Sequence, residues 1–246
     1  MSHRHPFIVP AVTLEHEVRA IHLRPAAELA ERVLLPGDPQ RALAVAQALL
    51  ERPLMFNHNR GLWGYTGVAR DGDPLTVQST GMGGPSAAIV CEELIALGAR
   101  RLVRIGTCGA LDEGLELGNL VAATEVLPGD GASAALGADG PLKPDTDLTE
   151  RLQAAGARPR TVVSTDLFYD PREGAAAEWR ERGAAVVEME AAAVLAVCAR
   201  RGAAGACALG VSDARGPEGP RRLAQKALES LGVALGEAGY AALSRR

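Results

Sequence analysis

The stretch Leu102-Val103-Arg104-Ile105-Gly106-Thr107-Cys108-Gly109-Ala110 constrains the fold more than any other part of this chain. Its apolar first half reads as a strand buried on both faces, the pattern of a sheet covered by helices on each side. A Gly-x-x-Gly turn is expected directly after it, and one arginine stands inside the strand. A buried charge is costly unless an anion answers it. The planar, paired donors of arginine suit phosphate or carboxylate, and the glycines let backbone N–H groups approach whatever the arginine holds. On this segment alone, a structural Arg–carboxylate pair fits as well as a ligand site.

The rest of the chain alternates strand and helix signals. Residues 32–36 read as a short buried strand, followed by Gly37-Asp38-Pro39 and a helix over 40–50. Residues 62–69 and 75–80 alternate as a hairpin across Asp71-Gly72. Gly81-Met82-Gly83-Gly84-Pro85-Ser86 opens a helix over 86–97, with proline in the first turn and Gly98 as its stop. Further strands are expected at 102–106, 119–126, 161–165, 186–189 and 209–213, helices at 191–201 and 221–243, and a loop over 128–143. Neither a repeat nor a linker interrupts this pattern. It predicts one α/β domain over 22–246, a mixed, largely parallel central sheet flanked by helices, preceded by a loosely held arm at 1–21.

Composition excludes several classes of function. A net charge of −4 and 3% aromatic residues give no electrostatic or stacking case for nucleic acid. The longest strongly apolar run, 191–199, falls far short of the ~20 residues that cross a bilayer. The segment Met1-Ser2-His3-Arg4-His5-Pro6 leads into no apolar block, so no secretory signal is expected, and its histidines lack the second cluster a metal site needs. Cys91, Cys108, Cys198 and Cys207 show no Cys-x-x-Cys spacing and read as reduced thiols. The expectation is a cytoplasmic protein without membrane, metal or nucleic-acid partners.

Chemistry gathers at the strand ends. Gly37-Asp38-Pro39-Gln40-Arg41 offers backbone N–H groups and a helix N-terminus to an anion, with Arg41 one turn in. The glycines at 81–84 lack the Gly-x-Gly-x-x-Gly spacing of a dinucleotide fold. In Val187-Glu188-Met189-Glu190, alternation puts both carboxylates on one side. They suit a sugar diol, although Glu190 could equally cap the following helix. Ser212-Asp213 ends a late strand, where ligands collect in α/β folds and a general acid would sit; a plain turn is the other reading.

Taken in order and spacing, Gly37-Asp38-Pro39-x-Arg41, Gly81-Met82-Gly83-Gly84-Pro85-Ser86, Arg104-Ile105-Gly106-Thr107-Cys108-Gly109, Asp166-Leu167-Phe168-Tyr169, Glu188-Met189-Glu190 and Ser212-Asp213 resemble the nucleoside phosphorylase family, in its hexameric bacterial purine and uridine branch. The resemblance spans roughly residues 22–213. It implies cleavage of a nucleoside N-glycosidic bond by inorganic phosphate as co-substrate, with no cofactor. By similarity, Gly37, Arg41, Arg104 and Thr107 hold phosphate, and Arg60 reaches it from a neighbouring subunit. Met189 and Glu190 hold ribose, with His22 contributed across the dimer interface. Cys108, Gly109, Phe168, Val187 and Glu188 line the base site, and Asp213 protonates N7 of a purine. The implied assembly is a hexamer, a trimer of dimers. Uridine phosphorylases carry a Gln and an Arg beyond the phenylalanine, whereas here Gly174 falls where that Arg belongs. Ser212-Asp213 favours purine nucleosides, with a uridine phosphorylase or a hydrolytic nucleosidase as alternatives. One departure stands out: the arginine that assists the aspartate from a helix has no clear counterpart, leaving Arg215, Arg221 and Arg222 as candidates.

Overall fold

In the computed structural model, residues 19–216 and 219–244 are described. Most of the expected arm, with His3 and His5, lies outside the described residues, as does the side chain of Arg215. The chain opens with β1 (Arg32–Pro36), α1 (Pro39–Leu49), β2 (Leu50–Asn57), β3 (Gly64–Ala69) and β4 (Pro74–Gln78). Next come α2 (Gly84–Ala96), β5 (Arg101–Ala110), β6 (Leu120–Gly129), α3 (Gly131–Ala135), α4 (Thr146–Ala154), β7 (Arg158–Thr165) and α5 (Ala175–Glu181). It closes with β8 (Val186–Glu188), α6 (Ala191–Arg201), β9 (Ala204–Gly216), β10 (Gly219–Arg222) and α7 (Gln225–Leu243).

All the strands form one mixed sheet, ordered β10-β9-β6-β7-β8-β5-β1-β4-β3-β2, with β9 also paired to β5. That extra ladder closes β5, β9, β6, β7 and β8 into a ring. The parallel run β4-β1-β5-β9 forms its backbone. Helices α1, α4 and α7 cover one face, where Leu34, Val103 and Ile105 are buried among Val45, Leu148 and Leu235. On the other face, α2 and α6 pack Val90, Leu94, Val194 and Val197 over Val33, Leu35 and Leu102. Helix α7 lies unusually close to the sheet. A Cβ on Gly236 would stand 2.7 Å from Val45 Cγ1, and one on Gly239 2.6 Å from Leu34 Cδ2. Gly232, on the same stripe, leaves room for the aliphatic stem of Arg41.

Several expectations need correction. Gly106-Thr107-Cys108-Gly109 is not a turn: β5 runs through it to Ala110, with a register shift between Cys108 and Gly109. Strand β2 escaped notice because Glu51, Arg52 and Pro53 break its alternation. It is an edge strand with a register shift between Glu51 and Leu54, where the missing N–H of Pro53 does least harm. Helix α7 starts at Gln225 rather than near 221, since Gly219–Arg222 pairs as β10. The expected loop at 128–143 holds α3, N-capped by Asp130 accepting from Ser133 N–H. Helices α4 and α5 also went unforeseen.

One ion pair fastens the sheet at the start of β1. Arg32 donates twice to Asp71 at 2.5 Å and also to the carbonyls of Asp73 and Pro74, fixing the β3–β4 connection. The Arg32 hydrogen bonds hold the Asp71 carboxyl down at about 2 despite partial burial, well below the usual carboxylate range. Because the folded value lies below the unfolded one, the stabilisation is present above about pH 4 and is lost as pH falls toward 2. Asp71→Asn is therefore expected to destabilise by about 2 kcal/mol near neutrality, with the gap narrowing below pH 4. Urea unfolding of both forms across pH checks this, and a gap independent of pH would contradict it.

Candidate active site

The ends of β1, β4, β5, β7, β8 and β9 converge on a cavity of about 1050 Å³. Its polar floor is Arg104, which is only 3% exposed. Arg104 Nε donates to Glu188 Oε2 at 2.7 Å, and Nη2 pairs with Glu190. Nη1 is buried with no hydrogen-bond partner among the described residues. Gly106, two positions on and on the same strand face, makes room for the guanidinium: a Cβ there would lie 2.6 Å from Nη2. Burial acts to lower the Arg104 pKa, and the carboxylates of Glu190 and Glu188 outweigh it, so the group stays charged.

The two carboxylates play different parts. Strand β8 runs antiparallel over the last residues of β5, Val187 opposite Gly109, which brings Glu188 and Glu190 beside Arg104. The Glu188 side chain is fully buried. It accepts from Arg104, the Ser164 hydroxyl and the N–H groups of Glu190 and Ala191. Its carboxylate thus serves the start of α6, whose N-cap residue, Glu190, makes no capping bond with its own side chain. Glu188 lines the cavity, with its carboxylate oxygens taken by these protein partners. Glu190 instead accepts from Gly83 N–H at 2.5 Å and faces the cavity. Burial raises its pKa, with Glu188 adding to the effect and Arg104 opposing it.

Arg41, from α1, reaches the same floor. Burial lowers its pKa, Asp38 opposes, and the nearby positive charge of Arg104 adds to the lowering. The Glu190 carboxylate acts on both guanidinium groups and offsets their repulsion. Gly37 and Thr107 line the same region, and the Gly37 and Gly81 turns touch, a Cβ on Gly37 falling 3.3 Å from Gly81 O.

At the other end of the cavity lie Cys108, Gly109, Phe168, Val187, Met189 and Asp213. The Asp213 carboxylate leans on Gly109, where a Cβ would meet Oδ2 at 2.8 Å. The Ser212 hydroxyl lies 3.0 Å from Asp213 Oδ1 and 3.3 Å from the Cys108 carbonyl. Directly across the β9–β10 ladder from Asp213 stands Arg222, whose guanidinium lies over the Phe168 ring at 5.9 Å. Arg221 pairs with Ala214 and so points to the opposite face. Burial pushes the Cys108 thiol up, so it meets a ligand as a neutral group.

Twelve of the fourteen expected site residues thus line one cavity, and His22 and Arg60 do not. Those two sit together elsewhere: the Asn59 side chain donates to the His22 carbonyl at 2.8 Å, and Arg60 follows at a positive φ of 58°. Sequence reasoning missed the wall made by α5, where Ala175, Ala176 and Trp179 line the cavity with Arg172 at 5.9 Å over the Trp179 ring. Its small residues carry no chemical signature. Arg222 was one of three arginines the sequence left open, and the strand pairing is what sets it apart from Arg221. Among the described residues no group of three or more His, Cys, Asp or Glu side chains could hold a metal, and no helix is long and apolar enough to cross a membrane.

Since Arg104 is pinned on both sides, it cannot yield to a methyl group. Gly106→Ala is expected to lower turnover by at least an order of magnitude while leaving far-UV circular dichroism unchanged. Wild-type turnover in the variant would mean that the guanidinium position is unimportant.

The phosphorylase superfamily model matches residues 31–238. A DeoD-type purine nucleoside phosphorylase of Clostridium perfringens is 36% identical over 196 residues, 76% of this chain and 83% of that protein. The DeoD-type enzyme of Clostridium beijerinckii is 34% identical over 207 residues, covering 79% and 86%. That of Geobacillus kaustophilus is 34% identical over 195 residues, covering 76% and 82%. With its matched span and relatives at this level of identity, the chain belongs to the phosphorylase superfamily.

Proposed function

We propose that this protein is a purine nucleoside phosphorylase, a pentosyltransferase that splits a purine nucleoside with inorganic phosphate into free base and (deoxy)ribose 1-phosphate. The observation that carries this reading is the pair of buried cations, Arg104 and Arg41, that line one end of the cavity beside Gly37 and Thr107. The DeoD-type relatives support the same activity.

The chemistry follows from where charge develops. As the glycosidic bond lengthens, the sugar ring becomes positive and the departing base negative. Phosphate held by Arg104, Arg41, Thr107 and Gly37 stabilises the sugar cation and is also the nucleophile that attacks its anomeric carbon. Glu190 and Met189 hold the sugar between phosphate and base. Asp213 donates a proton to N7, so the purine leaves neutral. Arg222 is the arginine that assists it, because it shares the cavity face of the hairpin with Asp213. No cofactor enters this sequence of steps.

His22 and Arg60, held together outside their own cavity, complete a neighbour's site across a dimer interface, and the dimers build a hexamer. The exposed apolar side chains of Ile21, Leu54, Met55 and Trp63 near them supply a surface for such contact.

Base release is expected to require phosphate, because the two buried cations stabilise an anion and leave a water nucleophile without an activating base. Equal rates with and without phosphate would make the enzyme a hydrolase. Arg104→Ala should lose roughly 2–4 kcal/mol of transition-state stabilisation, as one preorganised charged contact does. Asp213→Asn should slow cleavage of purine nucleosides by about 10²–10⁴-fold, and Arg222→Gln should slow it by less. Steady-state assays with inosine, adenosine and uridine check both. Uridine cleaved faster than either purine by the wild-type enzyme would overturn the choice of substrate.

A further inference from the structure

Glu93 is a carboxylate that the reaction above does not use. It sits on α2 and is only 4% exposed, with no lysine or arginine among its hydrogen-bond partners. Instead it gathers the segment that precedes β1. Oε1 accepts from the Ile21 and His22 N–H groups at 3.1 Å, and Oε2 accepts from Leu23 N–H at 2.7 Å. The His22 ring closes the set, its Nδ1 lying 2.6 Å from Oε1. A cap for three successive backbone N–H groups needs no ring, so the imidazole contact is an addition to the anchoring.

Burial pushes the Glu93 carboxyl up, and the backbone N–H groups together with His22 outweigh it, holding it below the usual carboxylate range. Glu93 is therefore ionised and can only accept. The proton of a neutral His22 ring must then sit on Nδ1, and Nε2 carries the lone pair. The ring is about a quarter exposed. A second clasp fixes its backbone: Asn59 holds the His22 carbonyl, and the fully buried Asn57 accepts from Arg24 N–H at 2.9 Å while donating to the Leu62 carbonyl. His22 and the turn bearing Arg60 are thus one rigid unit.

We infer that Glu93 is a positioning residue that presents His22 to the neighbouring subunit's sugar as a hydrogen-bond acceptor at Nε2. This rests on the shared-site reading given above, and it adds both the residue that orients the histidine and the tautomer it sets. Glu93→Gln preserves size and can still cap Leu23 through its carbonyl oxygen. A single amide oxygen cannot serve Leu23 N–H together with the Ile21 N–H and the ring on the other side, so the Nδ1–H tautomer is no longer enforced.

The test compares kcat/KM for a purine nucleoside and its 2′-, 3′- and 5′-deoxy analogues in wild type, His22→Ala and Glu93→Gln, with sedimentation confirming equal assembly. The position at which His22→Ala removes the preference for a hydroxyl is the one His22 meets. No such position would overturn the shared site itself. At that position, an ammonium substituent only donates and a fluorine only accepts. Wild type is expected to favour the ammonium analogue over the fluoro analogue by at least tenfold, and Glu93→Gln to cut that preference severalfold. An undiminished preference in Glu93→Gln, with the His22→Ala effect present, would overturn the role of Glu93 alone. Glu93→Asp, which keeps an acceptor, should retain the wild-type order, as a role confined to anchoring would not require.

Discussion

Everything at the centre of this molecule depends on one guanidinium that stays charged while fully buried. Arg104 meets two carboxylates, so by simple charge count the trio would be negative. Arg41 brings the local sum back to zero if both acids are ionised. Burial of ions is tolerated only when their hydrogen bonds are satisfied. Glu188 meets that condition, with its oxygens fully engaged by a side-chain cation, a hydroxyl and a helix N-terminus. Arg104 does not, since Nη1 is left over. The β5 arginine is thus a structural Arg–carboxylate pair and, on the proposed function, part of the anion site as well.

The surrounding fold serves that arrangement. The antiparallel approach of β8 over the end of β5 is one of two antiparallel steps, with β6–β9, that join the parallel groups of the ring, and it drops Glu188 and Glu190 onto Arg104. Gly106 keeps the strand face open for the guanidinium, and Gly83 spends its N–H on Glu190. On the opposite face, the glycine stripe of α7 lets helix backbone press on Val45 and Leu34 and hold the stem of Arg41 at Gly232. Dense packing of this kind transmits small displacements. Residues far from the cavity thereby share in setting the distance between its two cations.

Much of this was legible in the sequence because the relevant signals are local. Pro39 after Asp38, the glycines at 81–84 and the apolar run at 102–105 each mark a strand end or helix start by their own chemistry, and the structure has elements there. What was not legible depends on partners distant in the chain. Gly106-Thr107-Cys108-Gly109 reads as a turn, yet pairing with β9 keeps it extended. Glu188 reads as a ligand contact, yet Ser164 and Arg104, both far away in sequence, take its oxygens. Strand β2 is hidden by charge and proline that an edge position permits.

The proton-donating end of the cavity illustrates the same point in mechanism. In a chain where the aspartate's helper stands on the following helix, sequence spacing would find it. Here Gly219 and Pro220 prevent a helix from starting, and the chain returns along β9 instead. An antiparallel pair places directly opposite residues on one face, about 4.5–5.5 Å apart at Cβ. Register alone therefore brings Arg222 to Asp213, while Arg221 is turned away. The hairpin also carries Arg222 over Phe168, so under the proposed function the group that attends the acid touches the ring set against the base. On that reading, movement of β10 would shift both together and couple recognition of the base to delivery of its proton.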